Sequence, residues 1–108
     1  VVRTAQALVA CIVDPKPVFD NTSFEVEDCA AAVENMLLAI TALGYATVWL
    51  DGVLRREGIA EKIGSLLGVP EGKTVRIVLP IGVPAEPGRQ AERKPFEERA
   101  WFNRYGVQ

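Results

Sequence analysis

Few side chains in this sequence could do chemistry. There is no histidine, and Cys11 and Cys29 are the only cysteines. Without histidine, neither a Ser-His-Asp nor a Cys-His relay can be assembled. Two cysteines fall short of the four ligands of a structural zinc site. Both sit in apolar stretches, which suits buried free thiols. Chemistry from this chain must therefore run through a cofactor, carboxylates or backbone groups. Asp51-Gly52 reads as a turn after an apolar stretch. Arg55-Arg56 is a basic pair that is either solvated or set to meet an anion.

The composition bounds what those groups can serve. The chain is 49% hydrophobic and 24% charged, with a net charge of −2, the balance of a single globular domain over 1–108. No basic run marks a nucleic-acid face. No apolar run is long enough to span a membrane. The start lacks the hydrophobic core of a signal peptide, and a cytoplasmic location is expected. The first residue is not Met, which fits a processed chain or an internal piece of a longer one.

The elements that would position these groups are legible as pattern. Residues 5–13, apolar but for Gln6, suit a strand buried on both faces. Thr22 and Glu25 have capping-box spacing. Residues 28–43 hold no Gly or Pro and read as a helix, stopped by Gly44. Residues 45–50 are aromatic and β-branched, a short buried strand. Residues 54–67 form a second helix capped by Gly68; its start could be delayed to Glu57, because Arg55 and Arg56 would oppose the dipole. Residues 73–83 form a third strand, interrupted or at an edge at Pro80. Pro95 opens a short helix before an aromatic tail. The order β-α-β-α-β predicts a largely parallel sheet, or one mixed at an edge.

The first helix poses a burial problem. At about 100° per residue, its polar positions Asp28, Glu34, Asn35 and Thr41 span only roughly 140° of the circumference. Three strands cannot cover the remaining apolar face. The missing cover must come from another chain or segment.

Residues 35–52, followed by 66–86 and 92–99, resemble the nitroreductase family of FMN-dependent oxidoreductases. The match runs over nearly the whole chain and corresponds to the C-terminal part of a usual member. The resemblance implies an α+β (α/β-like) fold: a three-stranded part of a mixed sheet with a long central dimer helix. The helix over 26–43 would then pair with a second copy or a companion N-terminal chain. The segment Leu50-Asp51-Gly52 would run beside the flavin ring, with backbone N–H groups of Asp51 and Gly52 reaching its N5 and O4. Arg93, with Lys94 beside it, would contact the FMN phosphate; the alternative is a solvated loop charge. Trp101, Phe102 and Tyr105 would wrap over the partner or pack locally.

The family's Arg-rich N-terminal segment, which holds FMN phosphate and ribityl chain, has no counterpart in these residues. The chain reads as the C-terminal portion of such a domain, or as a reduced relative. The implied activity is FMN-dependent reduction of nitro-aromatics, quinones or similar acceptors by NAD(P)H. The alternative is a non-catalytic dimerisation module that has lost FMN.

Overall fold

A computed structural model describes residues 2–107. Its elements are strand β1 (Ala7–Val13), helix α1 (Glu25–Ala42), strand β2 (Ala46–Thr47), helix α2 (Ile59–Leu67) and strand β3 (Thr74–Gly82). Two short 3-10 turns, Gly52–Arg55 and Phe96–Glu98, complete the order.

The sheet order is β1-β3-β2, and both pairings are antiparallel. This corrects the parallel expectation. The β1-α1-β2 crossover does return the chain in its original direction, as such a unit should. However, β3 runs back between the two strands and pairs with each. β1 is thus an edge strand, with Leu8 and Ile12 about half exposed, instead of a strand buried on both faces.

The centre is β3, and the reason is compositional: residues 75 and 77–79 are all buried apolar side chains. Ile77 and Leu79 pack with Val33 and Ile40 of α1. Val75 and Val78 pack with Leu54 and Ala60 on the other side. Strict alternation would put Val75 on the face of Ile77. The register slips between Cys11 and Ile12, which pair with Ile77 and Val75, so Arg76 is an extra residue. That bulge turns Val75 to the opposite face.

Pro80 lies inside this central strand, not at an edge. Val78 directs both its N–H and C=O to Leu50. Pro80, two residues on, faces the same way by the period of the strand. Its missing N–H therefore costs β3 nothing against β1. It does leave Val48 without a donor, and the pairing of β2 lapses at Val48 and Trp49 before Leu50 resumes it. The expected strand over 45–50 shrinks to two residues for that reason.

Both helix stops follow glycine. Gly44 and Gly68 adopt positive φ, +83° and +69°. After α1, Tyr45 donates to the Ile40 carbonyl and Gly44 to that of Thr41. After α2, Val69 donates to Gly64 and Gly68 to Ser65. These are paired Schellman closures. The helix starts differ from expectation. Thr22 bonds to Asp20 and bridges Phe19, and Phe24 precedes α1 with no side-chain cap, so no capping box forms. Glu57 and Gly58 both take positive φ, which separates the 3-10 turn from α2 and delays the helix to Ile59.

Much apolar surface remains uncovered. On α1 only Val33 and Ile40 are buried, while Val26, Met36 and Leu38 are 36–62% exposed, and Leu43 just after it is 73% exposed. The radius of gyration is 17.5 Å, against about 13 Å for a compact chain of this length. The accessible surface is 8774 Å², against about 5,900 Å² for a compact monomer of this mass. Among the described elements, the last turn, Phe96–Glu98, packs on no other helix or strand. Trp101 and Tyr105 stack at 4.2 Å between ring centroids, and Phe96 and Phe102 at 6.4 Å, so the tail packs on itself.

Candidate functional site

The candidate site starts from the lapse in β2. Leu50 is pinned to Val78 by two hydrogen bonds, at 2.9 and 3.1 Å. The chain then leaves the sheet at Asp51 and enters the 3-10 turn, which closes with Leu54 donating to the Asp51 carbonyl at 2.9 Å. The N–H groups of Asp51, Gly52 and Val53 have no acceptor among the described residues. A Cβ placed on Gly52 would meet nothing within 4 Å. The segment is therefore anchored at Leu50, is followed by three donors without an acceptor among the described residues, and has open space at Gly52.

The side chain of Asp51 is held from two elements. Arg55 donates from Nε and Nη2 to the two carboxylate oxygens, each at 2.7 Å. Arg76, the bulged residue of β3, brings Nη1 to 3.9 Å from Oδ1. The hydrogen bond from Arg55 is the main cause holding the Asp51 carboxyl below its usual range, with Arg76 adding to it. The same bond pushes the Arg55 guanidinium up. Arg55 is thus neither simply solvated nor awaiting an anion: its fork is occupied by a carboxylate four residues back.

Arg76 was not singled out in the sequence. Its signal was present, as the one charge inside the apolar run of β3. Trp49, within the stretch 45–50 expected as a buried strand, is half-buried against the Val33–Leu79 cluster.

Arg93 and Lys94 lie in an exposed loop after β3. The Lys94 carbonyl accepts from Arg99 Nε at 2.9 Å. The Arg93 side chain has no ion pair or hydrogen bond among the described residues. Leu50, Asp51 and Gly52 are thus built as one unit, and nothing in the described contacts ties Arg93 or Lys94 to it. A groove of about 620 Å³ reaches Val48 and Pro80 from Gln6 and Val83 but does not include Asp51.

Cys11 and Cys29 are half-buried free thiols bordering one cleft between β1 and α1. Burial pushes both thiols up from their ordinary range. Among the described residues, no group of three or more His, Cys, Asp or Glu is arranged to hold a metal ion. No helix there is long and apolar enough to cross a membrane.

Comparison with known proteins gives this geometry its context. A model of the nitroreductase family matches residues 3–83. A protein of Archaeoglobus fulgidus, provisionally named an NADH dehydrogenase/NAD(P)H nitroreductase, is 40% identical over 84 residues, covering 78% of this chain and 47% of its own. A like-named protein of Methanothermobacter thermautotrophicus is 44% identical over 63 residues, covering 58% of this chain and 32% of its own. The chain thus spans half or less of the length of these curated relatives. Among solved structures, a like-named protein of Bacteroides thetaiotaomicron superposes with a TM-score of 0.74 at 27% identity, over 94% of this chain and 56% of that one. An FMN-dependent nitroreductase from Clostridium difficile superposes at 0.77 with 19% identity, over 95% and 60%; at that identity the likeness is one of fold.

Proposed function

The chain belongs to the nitroreductase family, and on that footing we propose that it supplies the ring-side half of an FMN-dependent NAD(P)H oxidoreductase. The observation that carries the reading is the row of unpartnered N–H groups at Asp51, Gly52 and Val53 beside a glycine with open space around it. The donor set fits a flavin. The ring edge at N5 and O4 accepts hydrogen bonds, and reduction builds negative charge that fixed amide donors stabilise. Glycine lets the backbone approach a planar ring closely.

When bound, FMN would supply the hydride chemistry between NADH or NADPH and a nitro-aromatic, quinone or similar acceptor. The residues of this chain have narrower tasks. Leu50 holds the segment to β3, and the N–H groups of Asp51 and Gly52 orient the ring edge. Arg93, with Lys94 beside it, meets the phosphate, for which a guanidinium offers a planar, bidentate match. No side-chain nucleophile is required, in keeping with a chain that has no histidine.

The exposed face of α1 supports pairing through residues 26–43 with a second copy or a companion N-terminal chain. The surface beyond that of a compact monomer, about 2,900 Å² on this chain alone, is at least the roughly 1,000–2,500 Å² that each partner contributes to an obligate interface. The same surface favours a second reading, a non-catalytic dimerisation module that has lost FMN. Absorbance and anaerobic reduction separate the two. A yellow protein bleached by NADH or NADPH and recoloured by a quinone or nitro-aromatic supports the reductase. A colourless dimer that takes up no added FMN supports the module and ends the first reading.

A further inference from the structure

We infer that Arg55 and Arg76 are positioning residues: by gripping the Asp51 carboxylate they fix how the Asp51-Gly52 backbone meets bound flavin, and so tune its reduction potential. The inference rests on the flavin reading above and adds two residues that have no direct contact role in it.

Three observations carry it. The Arg55 fork closes on both Asp51 oxygens at 2.7 Å, and a bidentate pair fixes orientation as well as distance. A second, looser contact comes from a different element, with Arg76 Nη1 3.9 Å from Asp51 Oδ1 and no hydrogen bond between them. Arg76 stands at the bulge of β3, with its side chain 19% exposed and that of Asp51 21% exposed. Bulges re-aim side chains in this way, often next to active sites. Finally, the gripped residue is the one whose amide, with that of Gly52, is left without an acceptor. Leu50 anchors the segment on one side, Arg55 and Arg76 hold it on the other, and the donors lie between.

Charge acts in the same direction. A carboxylate beside a flavin opposes electron uptake, because the reduced ring carries negative charge. Two guanidinium groups on that carboxylate offset it. Loss of either arginine leaves the charge less compensated and the donor row less fixed, and both effects weaken the reduced form relative to the oxidised one.

The test uses the protein as its gene encodes it, with FMN affinity and midpoint potential measured on wild type, Arg55→Gln, Arg55→Lys and Arg76→Gln. Arg55→Gln should weaken reduced FMN relative to oxidised FMN about tenfold, which is about 30 mV more negative for a two-electron couple. Arg76→Gln should move the potential the same way by less. Arg55→Lys keeps the charge but cannot form the fork, so its potential should fall between wild type and Arg55→Gln. A purely structural role would change melting temperature and leave the potential in place. Unchanged potentials in variants that retain FMN would overturn this inference alone. Should Arg55→Gln not fold, the Lys and Arg76 variants decide. Wild-type protein that takes up no FMN would overturn it together with the flavin reading.

Discussion

Leu50 and Val78 exchange both of their backbone hydrogen bonds, Leu50 donating at 3.1 Å and Val78 at 2.9 Å. This bridge joins the backbone of the candidate site to the most deeply buried strand of the molecule. It does so just past the gap that Pro80 opens, so the segment is fixed at Leu50 and released at Asp51. Amide hydrogen exchange should read that boundary directly. The amides of Leu50 and Val78 should be protected, and those of Gly52 and Val53 should exchange quickly without ligand, since they have no acceptor. Slow exchange at Gly52 in the ligand-free protein would show that its donor is already occupied.

The core of β3 sets the stability of that anchor. Leu79 is fully buried against Val33, so Leu79→Ala should cost about 2–5 kcal/mol through lost burial and a residual cavity. Leu66 on α2 is 86% exposed, and Leu66→Ala should stay within about 0.5 kcal/mol. Urea unfolding of the two variants checks the contrast. Equal effects would mean that something covers Leu66 in solution.

Local chemistry was legible in the sequence where a single residue type decides the outcome. Gly44 and Gly68 marked both helix stops, and the apolar runs marked all three strands. The burial problem of the first helix was also visible, since so few of its positions are polar. Strand direction was not. The βα order is compatible with a strand returning between its predecessors, and only the pairing of β3 with both neighbours settles it. The capping box failed because α1 begins at Glu25 with Phe24 in the cap position, which leaves Thr22 outside the helix start and Glu25 at its first residue. The resemblance pointed to Asp51-Gly52 as the candidate segment. The Arg55–Asp51 pair has the i,i+4 spacing of a local ion pair, whereas the contact from Arg76 depends on a bulge that no periodicity reports.

Acid should expose the Asp51 grip. The folded-state pKa of Asp51 is lowered, chiefly by Arg55. Its contribution is therefore complete above the unfolded carboxylate value, near 4, and is lost as pH falls through the lower folded value. The stability difference between wild type and Asp51→Asn should stay constant above about pH 5 and close below about pH 4. Unfolding curves across that range measure it. A difference that persists unchanged at low pH would exclude ionisation of Asp51 as its source.

Assembly should depend on the open face of α1. Leu38 is 62% exposed there, so Leu38→Glu has little to disturb within the chain itself. In an interface it would bury an unpaired charge, which costs several kcal/mol. Sedimentation should find wild type associated and Leu38→Glu dissociated, with helical content retained in both. A stable wild-type monomer at micromolar concentration would remove the pairing proposal.

Phosphate binding is the last expectation, and it is tied to assembly. Arg93 is exposed, has no polar partner among the described residues, and precedes a turn that, among the described elements, packs on no other helix or strand. A phosphate held there by one dilute chain would keep most of its water, and exposed ion pairs contribute only about 0–1 kcal/mol. Covered by a second chain or segment, the same contact becomes a charge-assisted hydrogen bond of about 1.5–3 kcal/mol. Arg93→Ala should then weaken FMN binding about tenfold to a hundredfold. Two titrations test the linkage. The polypeptide of residues 1–108, kept dilute, should bind FMN weakly or not at all, and affinity should rise when protein concentration or an added N-terminal chain drives pairing. Tight, stoichiometric binding by dilute monomer, or an Arg93→Ala variant with unaltered affinity in the assembled protein, would place the phosphate site elsewhere.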